Sequence, residues 1–185
     1  MREKISVVIP CYNVEKYIDR CLASVVAQTI GMEMLEIICV NDASMDGTWE
    51  KLSWWERRYP ENILLVNCKE NGAQGKARNI ALSHATGDFV TFLDSDDWIE
   101  LDTYERMYHA LKTYHCDIAC CGWIPDAGRE DIWNLKQKRK GQDYMLEVAS
   151  VKERKKFLVT GVMGHMCVNK MYRSSLIYDN HLFFF

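Results

Sequence analysis

Three carboxylates stand within four positions at Asp94-Ser95-Asp96-Asp97. Packed that closely, each raises the cost of ionising its neighbours, and a fold does not need such an arrangement. A hard divalent cation does, because it takes oxygen ligands and offsets the crowded charge. The plainer reading is an acidic turn or a helix cap, since Asp caps helices well. Position favours the cation. The cluster follows Phe89-Val90-Thr91-Phe92-Leu93, which reads as a buried strand. Open α/β sheets bind ligands just beyond the carboxyl ends of their strands.

Comparable groups recur at other strand ends. Pro10-Cys11-Tyr12-Asn13 follows the run Ile5-Ser6-Val7-Val8-Ile9, and Asp42 follows Leu35 to Val40, inside Val40-Asn41-Asp42-Ala43-Ser44-Met45-Asp46-Gly47. Neighbouring strands would bring these loops to one rim, which could hold a nucleoside diphosphate. There a carboxylate such as Asp42 can accept hydrogen bonds from a base N–H or from ribose hydroxyls. Tyr12 offers a face for base stacking, worth about 1–3 kcal/mol, and a metal held at Asp96 could neutralise the diphosphate. Taken singly, Tyr12 is also readable as a packed aromatic. Asp42 and Asp46 are readable as turn chemistry.

Alternating elements must position these loops. Ile5 to Ile9 is a strand, stopped by Pro10. Val14 to Gln28 reads as a helix with Ile18, Cys21, Leu22, Val25 and Val26 on one face and Asn13 as its N-cap. Strands are expected at Leu35–Val40, Ile63–Val66, Phe89–Leu93 and Asp117–Cys121. Helices are expected at Thr48 to about Arg58, Gln74–Ala85 and Leu101–Tyr114. Such alternation with short connections implies right-handed βαβ units and a mainly parallel sheet flanked by helices. After Gly122 the pattern weakens. Residues 125–150 read as loops or a hairpin over the site, Val151–Val159 as helical, and Met166–Tyr172 as a strand followed by a short helix from Ser174. His165 and Lys170 are candidates for an acceptor side, although a lone His is more often structural.

The 185 residues suffice for one domain with a real core. A net charge of -3 gives no global pull toward nucleic acid, and no apolar run approaches the roughly 18 residues of a membrane span. The first residues lead directly into a strand and do not read as a signal peptide. The eight cysteines show no Cys-x-x-Cys pair or paired Cys/His spacing. They read as reduced, structural thiols of a cytoplasmic protein, with Cys116 and Cys120 the one pair to watch. Lys136–Lys140 and Lys152–Lys156 are basic clusters. They fit either a solvated face or peripheral contact with an anionic membrane surface or acceptor. The ending Leu182-Phe183-Phe184-Phe185 is unusually apolar for a free end and reads as a segment cut short.

Known nucleotide motifs are missing. Gly72-Ala73-Gln74-Gly75-Lys76-Ala77 is too short for a P-loop and lacks its hydroxyl, and no Gly-x-Gly-x-x-Gly exists. Cys11-Tyr12-Asn13-Val14 is not the glycine-rich basic loop of a sugar-nucleotide pyrophosphorylase. The chain does resemble the family 2 glycosyltransferases of GT-A fold. The matching pieces are Val8-Ile9-Pro10-Cys11-Tyr12-Asn13, Ser24 to Thr29, Val40 to Thr48, Asn71-Gly72 with Ala77-Arg78-Asn79, Gly87-Asp88, and Leu93-Asp94-Ser95-Asp96-Asp97. The resemblance covers about residues 4–120 and extends loosely beyond.

The resemblance implies a Rossmann-like GT-A fold in which residues 1–122 form the nucleotide-sugar-binding half and 123–185 an acceptor-side half. It implies transfer of a sugar from a nucleotide diphosphate donor, a UDP-sugar by preference, with inversion. The acceptor would be a glycan or a lipid-linked glycan in bacterial surface polysaccharide biosynthesis. Carried over by position, Pro10, Tyr12, Asn13 and Asp42 surround the base and ribose, and Asn71, Lys76 and Arg78 lie by the nucleotide. Arg78 could instead brace the loop. Asp94-Ser95-Asp96 is the Asp-x-Asp motif: Asp94 sits near the ribose or sugar, and Asp96 is the main ligand of Mg²⁺ or Mn²⁺. Asp97 could be a second ligand, an acceptor contact or a cap. The family's general base is expected beyond residue 185, and Asp179 is a poor substitute. The chain could thus be a catalytically incomplete nucleotide-sugar-binding module. A sugar nucleotidyltransferase is the remaining alternative.

Overall fold

The strand Ile5–Cys11 (β1) is buried at every position, as a strand covered on both faces must be. It organises the sheet of the structure, a computed structural model that describes residues 3–122 and 166–185. Leu35–Asn41 (β2) and Phe89–Phe92 (β4) pair with it in parallel, and Ile63–Asn67 (β3) continues the parallel run beyond β2. Ile118–Cys120 (β5) and Lys170–Arg173 (β6) complete the sheet in the order β3-β2-β1-β4-β6-β5. β6 runs antiparallel to both β4 and β5. The sheet is therefore mainly parallel, but β5 reaches it only through a reversed strand from the far end of the chain.

The described helices are Ile18–Val26 (α1), Thr48–Arg58 (α2), Ala73–His84 (α3), Thr103–Tyr114 (α4) and Ser174–Tyr178 (α5). Strand side chains alternate between two apolar layers. Ile5, Val7 and Ile9 join Ile37 and Cys39 in packing on Ile18 and Leu22 of α1, Leu52 of α2 and Leu111 of α4. Val8, Ile38, Val40, Val90 and Phe92 face Ala77, Ala81 and Leu82 of α3 and Ile177 of α5. Each fully buried aliphatic side chain contributes about 1.5–3 kcal/mol. The alanines of α3 let that helix lie close on the sheet, beside the strand ends.

Several boundaries differ from the sequence reading. Pro10 does not stop β1. The Cys11 carbonyl accepts from Asp42 N–H (2.8 Å) on the β2 side, while the Val8 carbonyl accepts from Leu93 N–H (3.0 Å) on the β4 side. Alternation puts the amide that Pro10 lacks on the β4 side, where pairing ends at Val8 and Phe92. The β2 ladder continues to Cys11 and Asn41, because no donor is missing there.

α1 begins at Ile18, after a turn in which Tyr17 and Ile18 N–H both donate to the Val14 carbonyl (2.9 and 3.0 Å). Asn13 therefore does not cap it. β6 is shorter than the expected strand from Met166, because the Lys170 ammonium draws the preceding loop around itself. It donates to the carbonyls of Met166 (2.7 Å) and Val168 (3.4 Å) and to Asn169 Oδ1 (3.0 Å). Lys170 is buried in this role and offers no free amine to an acceptor. The hairpin expected at 125–150, the helix expected at 151–159, both basic clusters and His165 lie outside the described residues.

Candidate functional site

Sheet register builds the rim. Pro10 is level with Val40 and Cys11 with Asn41, while Val8 is level with Phe92. The next residues outward, Tyr12, Asp42 and Asp94, therefore emerge at the same carboxyl edge. Tyr12 is 44% exposed, so its ring is available as a stacking face and is not a packed core aromatic. Asn13 ties two of the loops together. Its N–H donates to Ser44 Oγ (3.0 Å), and its side-chain carbonyl accepts from Met45 N–H (2.8 Å).

Asp42 is buried at the centre of the rim. Its Oδ1 accepts from Gly72 N–H (2.9 Å), and its carbonyl accepts from Asn71 Nδ2 (3.4 Å). The loop after β2 is thereby held to the start of α3. Asp46 serves turn chemistry instead, accepting from Thr48 N–H and Glu15 N–H (both 3.1 Å). Three non-glycine residues around the rim have positive φ: Asn13 (52°), Ala43 (58°) and Ala73 (64°). Alanine in that region costs roughly 1–2 kcal/mol, and such strain persists where the surroundings over-determine it, often at binding sites.

The Asp94 carboxylate uses Oδ1 twice, accepting from Arg78 Nη2 (2.7 Å) and Gln74 Nε2 (2.9 Å). Both donors come from α3, so one helix holds Asp42 through the turn that begins it and Asp94 through its side chains. Lys76, by contrast, is exposed and reaches toward Glu70 at 3.9 Å. Ser95 turns inward and is buried, with its hydroxyl against the Cys11 thiol. This leaves Asp94 and Asp96 to face outward. Asp96 is exposed, and among the described residues no hydrogen bond or ion pair reaches its carboxylate. Burial of its carboxyl pushes the Asp97 pKa up, the charges of Asp96 and Asp94 push it further, and Arg20 opposes them. The crowding expected from sequence is felt at Asp97.

A metal fits this donor set in one particular way. Among the described residues no group of three or more His, Cys, Asp or Glu side chains forms a cage. Mg²⁺ commonly binds through one or two carboxylates plus substrate phosphates. Asp96 and the Oδ2 of Asp94, which no hydrogen bond engages among the described residues, are what such a shared site needs.

Sequence reasoning missed Gln74, whose only signal was its place one residue into α3. It also missed Cys167, which lies within electrostatic reach of Arg78, Asp94 and Lys170 and whose thiol burial pushes up. All eight cysteines, Cys116 and Cys120 included, are free. No helix among the described residues is long and apolar enough to cross a membrane.

The family model described as glycosyl transferase family 2 matches residues 6–179. Glycosyltransferase GlyA of Streptococcus pneumoniae is 41% identical over 117 residues, 63% of this chain and 16% of that protein. The poly(ribitol-phosphate) β-N-acetylglucosaminyltransferase TarS of Staphylococcus aureus is 29% identical over 182 residues, 98% of this chain and 29% of TarS. A crystal structure of TarS 1–349 in complex with UDP-GlcNAc matches with a TM-score of 0.73 over 97% of this chain and 48% of that one. The mannosyltransferase PcManGT of Pyrobaculum calidifontis, in complex with GDP-Man and Mn²⁺, matches with a TM-score of 0.61 and 29% identity, covering 69% of this chain and 37% of that one. The chain spans well under two thirds of the length of each of these relatives.

Proposed function

Because this chain belongs to glycosyl transferase family 2, we propose that its rim binds a nucleotide diphosphate sugar, a UDP-sugar by preference, for inverting transfer to a bacterial surface glycan or its lipid-linked precursor. The observation that carries the proposal is the convergence of Tyr12, Asp42, Asp94 and Asp96 at the carboxyl ends of three adjacent parallel strands. The donor named for the TarS complex and the acceptor named for TarS support the choice of UDP-sugar and of a surface polymer.

In this reading the base stacks on the open face of Tyr12, beside Pro10. Asp42 accepts from the base or ribose, held in place by Gly72 and Asn71. Asp94 orients the ribose or sugar, with Arg78 keeping its charge compensated. Asp96, which no hydrogen bond or ion pair engages among the described residues, would be the main ligand of Mg²⁺ or Mn²⁺, with Asp94 beside it. A divalent ion held there would supply Lewis-acid stabilisation of the diphosphate, whose negative charge grows as the glycosidic bond breaks. Asp97 faces the acceptor side, where an incoming hydroxyl needs a general base on the opposite face of the sugar.

The test is incubation with a panel of UDP-sugars that includes UDP-GlcNAc, with and without Mn²⁺, following release of UDP and transfer to candidate acceptors. Metal-dependent release from one UDP-sugar above the rest is the expected result. Metal-independent release, or indifference between UDP- and GDP-sugars, counts against the assignment. Tight donor binding without turnover would mark a binding module.

A further inference from the structure

Two features singled out in the sequence, the Asn79 of Ala77-Arg78-Asn79 and the three terminal phenylalanines, have no place in the site described above. The structure joins them. Asn79 Nδ2 donates to the Phe184 carbonyl (2.7 Å), and Phe184 N–H donates to Asn79 Oδ1 (2.8 Å). A side-chain amide thus grips one backbone residue at two points, as a neighbouring strand would. The Phe184 ring packs edge-on against Phe92 at 5.3 Å and lies 5.2 Å beneath the Arg78 guanidinium. Phe183 and Phe185 stay exposed, at 60% and 109%, so Phe184 is the docked one of the three. Gly75 leaves room for the approach: a Cβ there would stand 3.1 Å from the Phe185 carbonyl oxygen and 3.3 Å from Phe184 Cβ.

Arg78 needs that support. Its side chain is only 11% exposed, yet it makes a single end-on contact to Asp94, and its buried Nε has no acceptor among the described residues. One hydrogen bond does not fix the plane of a guanidinium, whereas an aromatic face beneath it does. Phe92, the other partner of Phe184, lies two residues before Asp94. The same ring therefore touches the strand that carries the carboxylate and the cation that compensates it. We infer that Asn79 and Phe184 are positioning residues for the donor: they hold Arg78 flat and aimed at Asp94, so that the carboxylate meets the nucleotide already oriented. This rests on the donor-binding reading above.

The experiment is calorimetric titration of UDP in saturating Mn²⁺ into the 185-residue chain and its variants. Partners that orient a ligating carboxylate typically matter by 10–100-fold. Asn79→Ala and Phe184→Leu should each weaken binding about 10-fold. Phe184→Trp, which keeps a ring under the guanidinium, should stay within about threefold of wild type. In an Arg78→Lys background, which has already lost the planar group, Asn79→Ala should weaken binding by less than about twofold further. Its effect on the thermal midpoint should be the same in both backgrounds. Should Asn79→Ala fail to fold, Asn79→Asp, which keeps the acceptor and loses the donor, takes its place. Wild-type affinity in Asn79→Ala and Phe184→Leu overturns the inference, as does an undiminished loss in the Arg78→Lys background. A wild-type chain that binds no nucleotide overturns the donor reading, and this inference falls with it.

Discussion

The two outward carboxylates, Asp94 and Asp96, should differ in what they contribute to the fold, because only Asp94 is braced by side chains of α3. Asp94 accepts from Arg78 at 2.7 Å and from Gln74 at 2.9 Å, in a pair whose side chains are 11% and 28% exposed. Breaking a fully buried pair costs about 3–5 kcal/mol, because the surviving charge is stranded. An exposed pair is worth about 0–1 kcal/mol. This pair lies between those limits, so Asp94→Ala should cost about 2 kcal/mol. At roughly 2–4 °C per kcal/mol for a chain of this size, the thermal midpoint should fall by about 4–8 °C. Among the described residues Asp96 has no hydrogen-bond or ion-pair partner, and its charge raises the Asp97 pKa. Asp96→Ala should therefore leave stability within about 0.5 kcal/mol of wild type or raise it slightly. Urea unfolding followed by tryptophan fluorescence reads both values. Equal destabilisation by the two substitutions, or an Asp94→Ala curve that overlays wild type, would refute the claim that α3 braces only Asp94.

Two further outcomes follow from the titrating groups. Burial pushes the Glu36 carboxyl up, but hydrogen bonds from Ser6 and from Thr86 N–H and Oγ1 outweigh it and, with the Lys4 charge, hold the pKa below its ordinary 4.5. A folded-state pKa below the unfolded one contributes stability that is complete above about pH 4.5 and is lost as pH falls through the lower, folded value. Glu36→Gln should flatten that part of the stability–pH curve, measured by urea midpoints from pH 6 down to about pH 3. An unchanged slope would show the three bonds to be irrelevant. The thiols of Cys11, Cys21 and Cys39 are buried. Burial pushes Cys21 up, while a hydrogen bond with Cys39 and then burial push Cys11 up. At pH 8 these three should resist a thiol reagent until the chain unfolds, while exposed Cys120 reacts. Prompt labelling of the three would mean that the strand ends open locally.

Much of this was legible in the chain because the central strands are covered on both faces. Apolar runs such as Ile5–Ile9 and Leu35–Val40 then read as strands whatever packs on them, and their carboxyl ends mark the rim. Asp42, Asp94 and Asp96 could be picked out because polar groups at such ends need a reason. The misses share a different cause, namely long-range partners. Pro10 reads as a stop until the geometry shows that its missing amide faces the side where pairing ends. Asn13 has the chemistry of a cap, but its hydrogen bonds are spent on the loop at Ser44 and Met45. The antiparallel insertion of β6 depends on contacts some eighty residues apart in sequence. No local pattern reports that Phe184 docks on Arg78, or that Gln74 shares an oxygen of Asp94 with it.

The central claim is a metal-shared nucleotide site at the rim of β1, β2 and β4. Calorimetric titration of UDP into the wild-type chain and into Asp96→Ala, each with and without Mn²⁺, tests it most directly. GDP serves as the competitor. The expected result is Mn²⁺-dependent binding of UDP in preference to GDP, weakened by at least about 10–100-fold in Asp96→Ala, the scale on which losing even a partner of a metal ligand lowers metal affinity. Binding of UDP that is indifferent to Mn²⁺ and unchanged in Asp96→Ala would contradict it.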